Sequence, residues 1–173
     1  MAKHLSALLL ACSVALALSA CSGSGTSQQA STQPKQTKAE KAAAGSNCRS
    51  IGEGRKINNK GKNDGYMCSA SAALNSAEAK EVLDANISVS YGNPGGKTLV
   101  SRQVANAVGK TPEETCQRAF LNTVKRFQST AAREGKRSVR VTSYFDKQTV
   151  GGNQYECHIG TWNSRVVLKG SIH

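Results

Sequence analysis

Hydrophobic and polar positions change period along this chain, and each change predicts an element. Residues 22 to 46 are Ser, Thr, Gln, Ala, Lys and Gly with almost no large apolar residue, a composition that cannot bury enough surface to fold. Residues 48 to 68 are punctuated by Asn63-Asp64-Gly65 and other glycines, which predicts a disulfide-closed loop or irregular hairpin rather than a core element. Ser76 caps a short helix through about Leu83. From Asn86 to Tyr91 the pattern has period two, with Ile87, Val89 and Tyr91 on one face of a half-buried strand. Pro94-Gly95-Gly96 is a turn into a second strand over Thr98 to Val108, whose alternation is imperfect. The period then becomes 3.6. Thr111 as N-cap, Pro112 at the first helical position and Glu114 as capping-box partner open a helix that runs to about Glu134 and stops at Gly135. Cys116, Phe120, Thr123, Val124, Phe127 and Ala131 share its apolar side. Beyond Gly135 period two returns, with Val139 and Val141 facing one way and Arg140 and Thr142 the other, to about Phe145. Gly151-Gly152-Asn153 turns the chain into a strand with Tyr155, Cys157 and Ile159 on one face, and Val166 to Ile172 is the last strand. The order of elements predicts an α+β fold: a small antiparallel sheet with one long helix packed on one face, stapled by disulfides.

The N-terminal apolar run, Leu8-Leu9-Leu10-Ala11 and Val14-Ala15-Leu16-Ala17, follows Lys3 and is too short for a comfortable membrane span. It ends in Leu18-Ser19-Ala20-Cys21, which looks like the cleavage box of an exported bacterial lipoprotein. Residues 1–20 are therefore expected to be a removed signal peptide, and Cys21 the lipid-bearing first residue of the mature chain. Residues 21–47 then form a lipidated tether, with a typical end-to-end distance near ~30 Å as a random coil, and 48–173 a single domain. Ser22 stands where an Asp commonly retains lipoproteins at the inner membrane, so the expected location is the outer membrane, with the domain facing the periplasm or the surface.

Export changes the reading of the cysteines. Cys12 leaves with the signal and Cys21 is acylated, leaving Cys48, Cys68, Cys116 and Cys157 where disulfides persist. Four cysteines allow three pairings. Cys48–Cys68 and Cys116–Cys157 are favoured, because the first brackets a Gly/Asn/Lys-rich excursion and the second joins the long helix to a strand. Each loop closure contributes roughly 3 to 4 kcal/mol, which matters in a chain with only 5% aromatic residues and hence a small core. Zinc is disfavoured: no pair has C-x-x-C spacing, and the mature chain has only His158 and His173.

Charge adds a candidate surface. The whole chain carries +12 and residues 48–173 retain +9, a field that favours anionic partners without choosing among them. Arg118, Lys125 and Arg133 lie opposite the helix's apolar stripe, and Arg126, Lys136 and Arg137 extend them into a candidate partner-binding face; a solvated polar face is the competing account. Tyr144, Phe145, Tyr155 and Trp162 are candidate aromatic contacts near it, although stacking on single-stranded nucleic acid requires aromatic residues on the same sheet face as the cations, and alternation turns Tyr155 inward.

No catalytic, metal or cofactor site emerges. Gly92 to Thr98 lacks the glycine a phosphate loop requires, since Tyr91 occupies that position. No serine sits in a Gly-x-Ser-x-Gly elbow. Glu113 and Glu114 suit the positive end of the helix macrodipole. Cys157 and His158 point to opposite strand faces, which reads as a disulfide cysteine beside a surface histidine.

From about Asn75 onward, the segments EVLDANISVSYGN, SRQVANAVGKTPEETCQRAF, SVRVTSYF, YECHIG and VVLKGSI give a likeness. They resemble a family of small exported bacterial proteins often labelled excinuclease ATPase subunits. The second half also resembles the outer-membrane lipoproteins that sense envelope stress for the Rcs phosphorelay, in which a helix precedes strands bearing disulfide cysteines and a Cys-Ile-Gly segment. Cys157-His158-Ile159-Gly160 corresponds, with His158 interrupting the pattern. The tether departs from that sensor family in having Pro34 as its only proline. The resemblance implies a domain that engages an envelope partner rather than a substrate. The expectation is thus a non-enzymatic outer-membrane lipoprotein, held to the membrane by its N-terminal lipid and binding an envelope protein in stress sensing or assembly. The alternative is charge-driven binding of lipopolysaccharide or nucleic acid, of which nucleic acid is the less favoured.

Overall fold

A computed structural model describes residues 47–54 and 61–173. The expected signal peptide over residues 1–20, Cys21, most of the expected tether and the cations Arg55, Lys56 and Lys60 lie outside the described residues. The elements are β1 (Cys48–Glu53), β2 (Asp64–Ser69), α1 (Ala70–Leu74), α2 (Ala77–Val82), β3 (Ser88–Tyr91), β4 (Leu99–Asn106), α3 (Pro112–Arg133), β5 (Ser138–Ser143), β6 (Gln154–Ile159) and β7 (Asn163–Ile172). A 3-10 turn covers Phe145–Lys147.

The seven strands among the described residues form one sheet organised about β7. One edge of β7 pairs with β4 along Leu99 to Asn106, so its other edge is shared between β6, opposite Ser164 to Val166, and β5, opposite Leu168 to Ile172. Beyond β6 lie β2 and then β1. The architecture is α+β and disulfide-stapled, with one pairing that alternation alone does not reveal: β3 runs parallel to β5, from Ser88↔Ser138 to Tyr91↔Val141. Parallel neighbours need a long crossover, and here the connection through β4 and α3 supplies it.

α3 forms because its start is locally encoded. The Thr111 Oγ1 accepts from the Glu114 amide at 3.3 Å while the Glu114 carboxylate accepts from the Thr111 amide at 2.7 Å. Those hydrogen bonds hold the Glu114 carboxyl below the usual carboxylate range. Thr111→Ala should cost about 1 kcal/mol of stability, measured by urea unfolding. A depressed folded pKa stabilises above the unfolded value, so the capping contribution of Glu114 is lost as pH falls through its folded pKa. The gap between wild type and variant should accordingly narrow in acid.

The inner face of the sheet and α3 enclose the core. Cys116, Phe120, Thr123, Val124, Phe127 and Ala131 are buried, as the helical period predicts, against Val139, Val141, Tyr155, Cys157, Val166 and Leu168. Gly170 permits the close approach: a Cβ there would lie 2.9 Å from Phe127 Cε1, Val141 Cγ1 and the Arg140 carbonyl oxygen. Polar groups in the core are paired. The Ser164 hydroxyl donates to the Thr115 carbonyl at 2.8 Å, and Gln128 Nε2 donates to the carbonyls of Asp84 and Ile87 while its Oε1 accepts from the Asp84 amide. Gln128 thereby fastens the entrance of β3 to α3.

Several sequence expectations need revision. The 48–68 segment is a hairpin with a register shift between Ser50 and Gly52, but its second strand is an interior strand, flanked by β1 and β6. Its pairing with β6 is non-local, and such pairings leave no short-range signal. α1 was not anticipated: Ser69 caps it by accepting from the Ala72 amide, but five residues are too few to display a period. The strand expected to reach Phe145 ends at Ser143, and the last strand begins three residues before Val166, through a buried Ser164.

Candidate partner-binding surfaces

Both expected disulfides are present, Cys48–Cys68 between directly opposed residues of β1 and β2, and Cys116–Cys157 between α3 and β6. All four sulfur-bearing residues are buried. The second cross-link fixes the helix on the sheet and so sets which face of α3 is outward.

Arg118, Lys125, Arg126, Arg133, Lys136 and Arg137 are all exposed. At about 100° per residue, the four on the helix span roughly a quarter of its circumference, and Lys136 and Arg137 continue the patch beyond the C-terminus of α3. They are not equivalent. The Arg118 guanidinium donates through Nε to Glu78 Oε1 at 2.6 Å, and Gln117 donates to the other oxygen of the same carboxylate, so Arg118 ties α2 to α3. Arg133 donates to Thr130 Oγ1 of its own helix. Among the described residues, Lys125, Arg126, Arg133, Lys136 and Arg137 have no carboxylate within ion-pair distance.

A second basic surface, absent from the sequence reading, occupies the sheet face turned away from α3. Arg102 and Val100 of β4 lie opposite Val167 and Lys169 of β7, and Val104 lies opposite Arg165. Tyr144 leaves the end of β5 and lies under Lys169, whose Nζ is 4.8 Å from the ring centroid. The next residues form a lip: Asp146 and Lys147 take positive φ of 45° and 64°, a left-handed conformation unusual for non-glycine residues. Between the lip and β4 lies an open depression of about 640 Å³, lined by Val100, Tyr144, Asp146, Lys147 and Val167. Burial, reinforced by Arg102, holds the Arg165 guanidinium below its ordinary pKa, and Asp146 partly offsets this. The cations come from β4, β7 and the lip, segments far apart in sequence, so only the folded sheet brings them together.

The candidate aromatic residues separate. Tyr155 is buried inward, Trp162 is 70% exposed, and Phe145 is buried beneath His158 with ring centroids 3.9 Å apart. His158 is not a surface histidine, contrary to the sequence reading. It does point away from Cys157, but it is 5% exposed: Phe145 covers one side and Gly54 closes over it. Its ring nitrogens lie 3.1 Å from Asn63 Oδ1 and 2.7 Å from Glu156 Oε1. The cluster joins the β1–β2 hairpin to β6 and the 3-10 turn. A Cβ on Gly54 would lie 2.4 Å from the imidazole, so the fit depends on glycine.

Among the described residues no group of three or more His, Cys, Asp or Glu side chains is placed to hold a metal ion, and no helix is long and apolar enough to cross a membrane. No family model, curated protein or solved structure matches the chain.

Proposed function

We propose that this protein is a non-enzymatic lipoprotein of the bacterial outer membrane, anchored through Cys21, whose stapled domain captures an envelope partner in stress sensing or assembly. The observation that carries the reading is the exposed arc of α3, where Lys125, Arg126 and Arg133, continued by Lys136 and Arg137, present cations without ion-pair partners among the described residues. Cations left solvated by their own fold are available to a complementary acidic surface, which steers association and fixes register. The lipoprotein box at Leu18 to Cys21 and the sequence resemblances point to the same compartment, and buried disulfides suit it.

The test is crosslinking in intact cells followed by mass spectrometry of what is attached to the mature acylated chain. Lys125→Glu, Arg126→Glu and Arg133→Glu together should reduce recovery of one discrete envelope protein about tenfold or more. Arg118 is left intact because its loss would leave Gln117 alone to hold Glu78 and so weaken the tie between α2 and α3. Unchanged recovery would remove the helix face from the proposal. Recovery of lipopolysaccharide alone, with affinity falling steeply as salt rises, would replace it by charge-driven binding. A Cys21→Ala chain should leave the membrane fraction.

A further inference from the structure

We propose that the outer edge of β4 is a docking site for an extended segment of a partner protein, which adds as a further strand and sets an acidic residue opposite Arg102 between two apolar residues opposite Val100 and Val104.

The backbone supplies the first argument. β4 pairs only with β7 among the described residues, in continuous register. The Ala107 amide donates to the Trp162 carbonyl at 2.8 Å. Antiparallel hydrogen-bonded pairs alternate, so the odd-numbered residues of β4 bond to β7, and Val100, Arg102 and Val104 direct their amides and carbonyls to the outside. α3 partly covers the far end of this edge: Asn122 Nδ2 donates to the Val104 carbonyl and Thr115 Oγ1 to the Asn106 carbonyl, both at 3.0 Å. The amides of Val100, Arg102 and Val104, and the carbonyls of Val100 and Arg102, remain without a partner among the described residues. That row of groups is the template on which a strand adds.

Side chains supply the second. Proteins commonly blunt an exposed edge with a charge, and Arg102 serves that purpose against a neutral strand. It does not conceal the valines beside it, with Val100 57% and Val104 47% exposed. Pairing of two copies in the register that matches both valines would set Arg102 against Arg102, which disfavours a second copy. An acidic residue in that position instead meets Arg102, while Arg165, diagonal to Arg102 on the next strand and held over the Phe145 ring at 4.9 Å, adds positive potential to the same face, partly offset by Asp146. Apolar groups beside it cover the valines and continue onto the floor of the depression at Val100 and Val167.

The chain's own tether does not fit. Its single acidic residue, Glu40, has Lys38 and Ala42 two positions away on either side, and Arg55 to Lys60 is cationic. The occupant is a partner segment.

The probe is a fluorescent seven-residue peptide in which threonine alternates with valine, glutamate and valine, titrated by anisotropy against the mature acylated protein in detergent. Arg102→Glu should weaken binding about tenfold, and a probe with lysine in place of glutamate should restore it. Because Arg102 is exposed, this variant should unfold thermally as wild type does. N-methylation of the glutamate and of the valine facing Val100 removes the amides that would donate to β4 without altering the side chains, and should abolish binding. Failure of the parent probe to bind at about millimolar concentration would overturn the proposal, as would equal binding of the N-methylated probe or of the Arg102→Glu protein. Displacement by phosphatidylglycerol added as mixed micelles in the same detergent would make the face a lipid site, and an Arg102-dependent crosslinked dimer a self-association site; either replaces the partner strand. The α3 cations take no part in this assay, so its failure is distinct from failure of the helix-face reading.

Discussion

Replacing Cys116 and Cys157 together by alanine should lower the free energy of unfolding by about 4 kcal/mol. The cross-link closes a loop with a sequence separation of 41 residues, and both cysteines are fully buried between α3 and β6. Opening it enlarges the unfolded ensemble and leaves the helix attached to the sheet by packing alone. The effect should be global, because Phe120, Val124 and Phe127 enter the core from the same helix. Cys48–Cys68 closes a shorter loop, separation 20, for which the same chain-entropy argument gives about 3 kcal/mol. Its loss should nevertheless cost less of the global stability. Among the described residues β1 is the outermost strand and pairs only with β2, so once released it can fray while the remaining sheet persists. Urea unfolding of the two paired variants reads the difference. Thiol release under dithiothreitol without denaturant should come first from Cys48 and Cys68, since Cys48 is 9% exposed at the sheet's end whereas Cys116 and Cys157 are at 0%. Equal destabilisation, or simultaneous reduction of both bonds, would show that β1 folds as one unit with the rest.

Local signals account for what could be read from the chain. Thr111, Pro112 and Glu114 determine the start of α3 within four residues, and strict alternation around Val139 and Tyr155 identifies strands with one face in the core. β4 was harder because its pattern is inverted. Val100 and Val104 face outward while Ser101 and Gln103 lie on the helix side, so hydrophobicity does not report burial there. β2 and the parallel β3–β5 pair depend on partners many residues distant. The lip is hidden for another reason: Asp146 and Lys147 adopt left-handed backbone with no glycine to announce it.

The same division applies to the surfaces. A cationic helix face follows from a period of 3.6, so the exposed arc of α3 was legible, although its unequal members were not. Glu78, which engages Arg118, comes from a different helix. The sheet-face cations could not be grouped without the register that sets Arg102 opposite Val167 and Val104 opposite Arg165. His158 shows the converse, a residue correctly placed on the outer face by alternation yet buried because Gly54 and Phe145 close over it.

Phe120→Ala should cost about 3 to 5 kcal/mol, the range for removing a buried aromatic ring whose surroundings relax incompletely. Phe120 is fully buried and stacks on Tyr155 with centroids 4.3 Å apart, with Tyr91 at 6.1 Å. Collapse into the cavity is resisted from both sides. Tyr155 is held in β6 by its pairing with β2, and the Tyr91 hydroxyl is anchored, donating to the Gln154 carbonyl at 2.6 Å and accepting from the Ser143 amide at 2.9 Å. Phe120→Leu refills most of the space and should recover more than half of the loss. Alkaline titration provides an independent readout. Burial pushes the Tyr155 phenol well above its ordinary value, so the folded state keeps it neutral while the unfolded chain ionises near pH 10. A raised folded pKa stabilises below the unfolded value and is lost as pH rises, so wild-type stability should fall above about pH 10 by up to about 1.4 kcal/mol per pH unit from this group. Opening the cavity admits water to the Tyr155 ring and lowers its folded pKa toward that of the unfolded chain. The alkaline slope of Phe120→Ala should therefore be shallower than that of wild type, and parallel slopes would mean that the site had closed around Tyr155 after all.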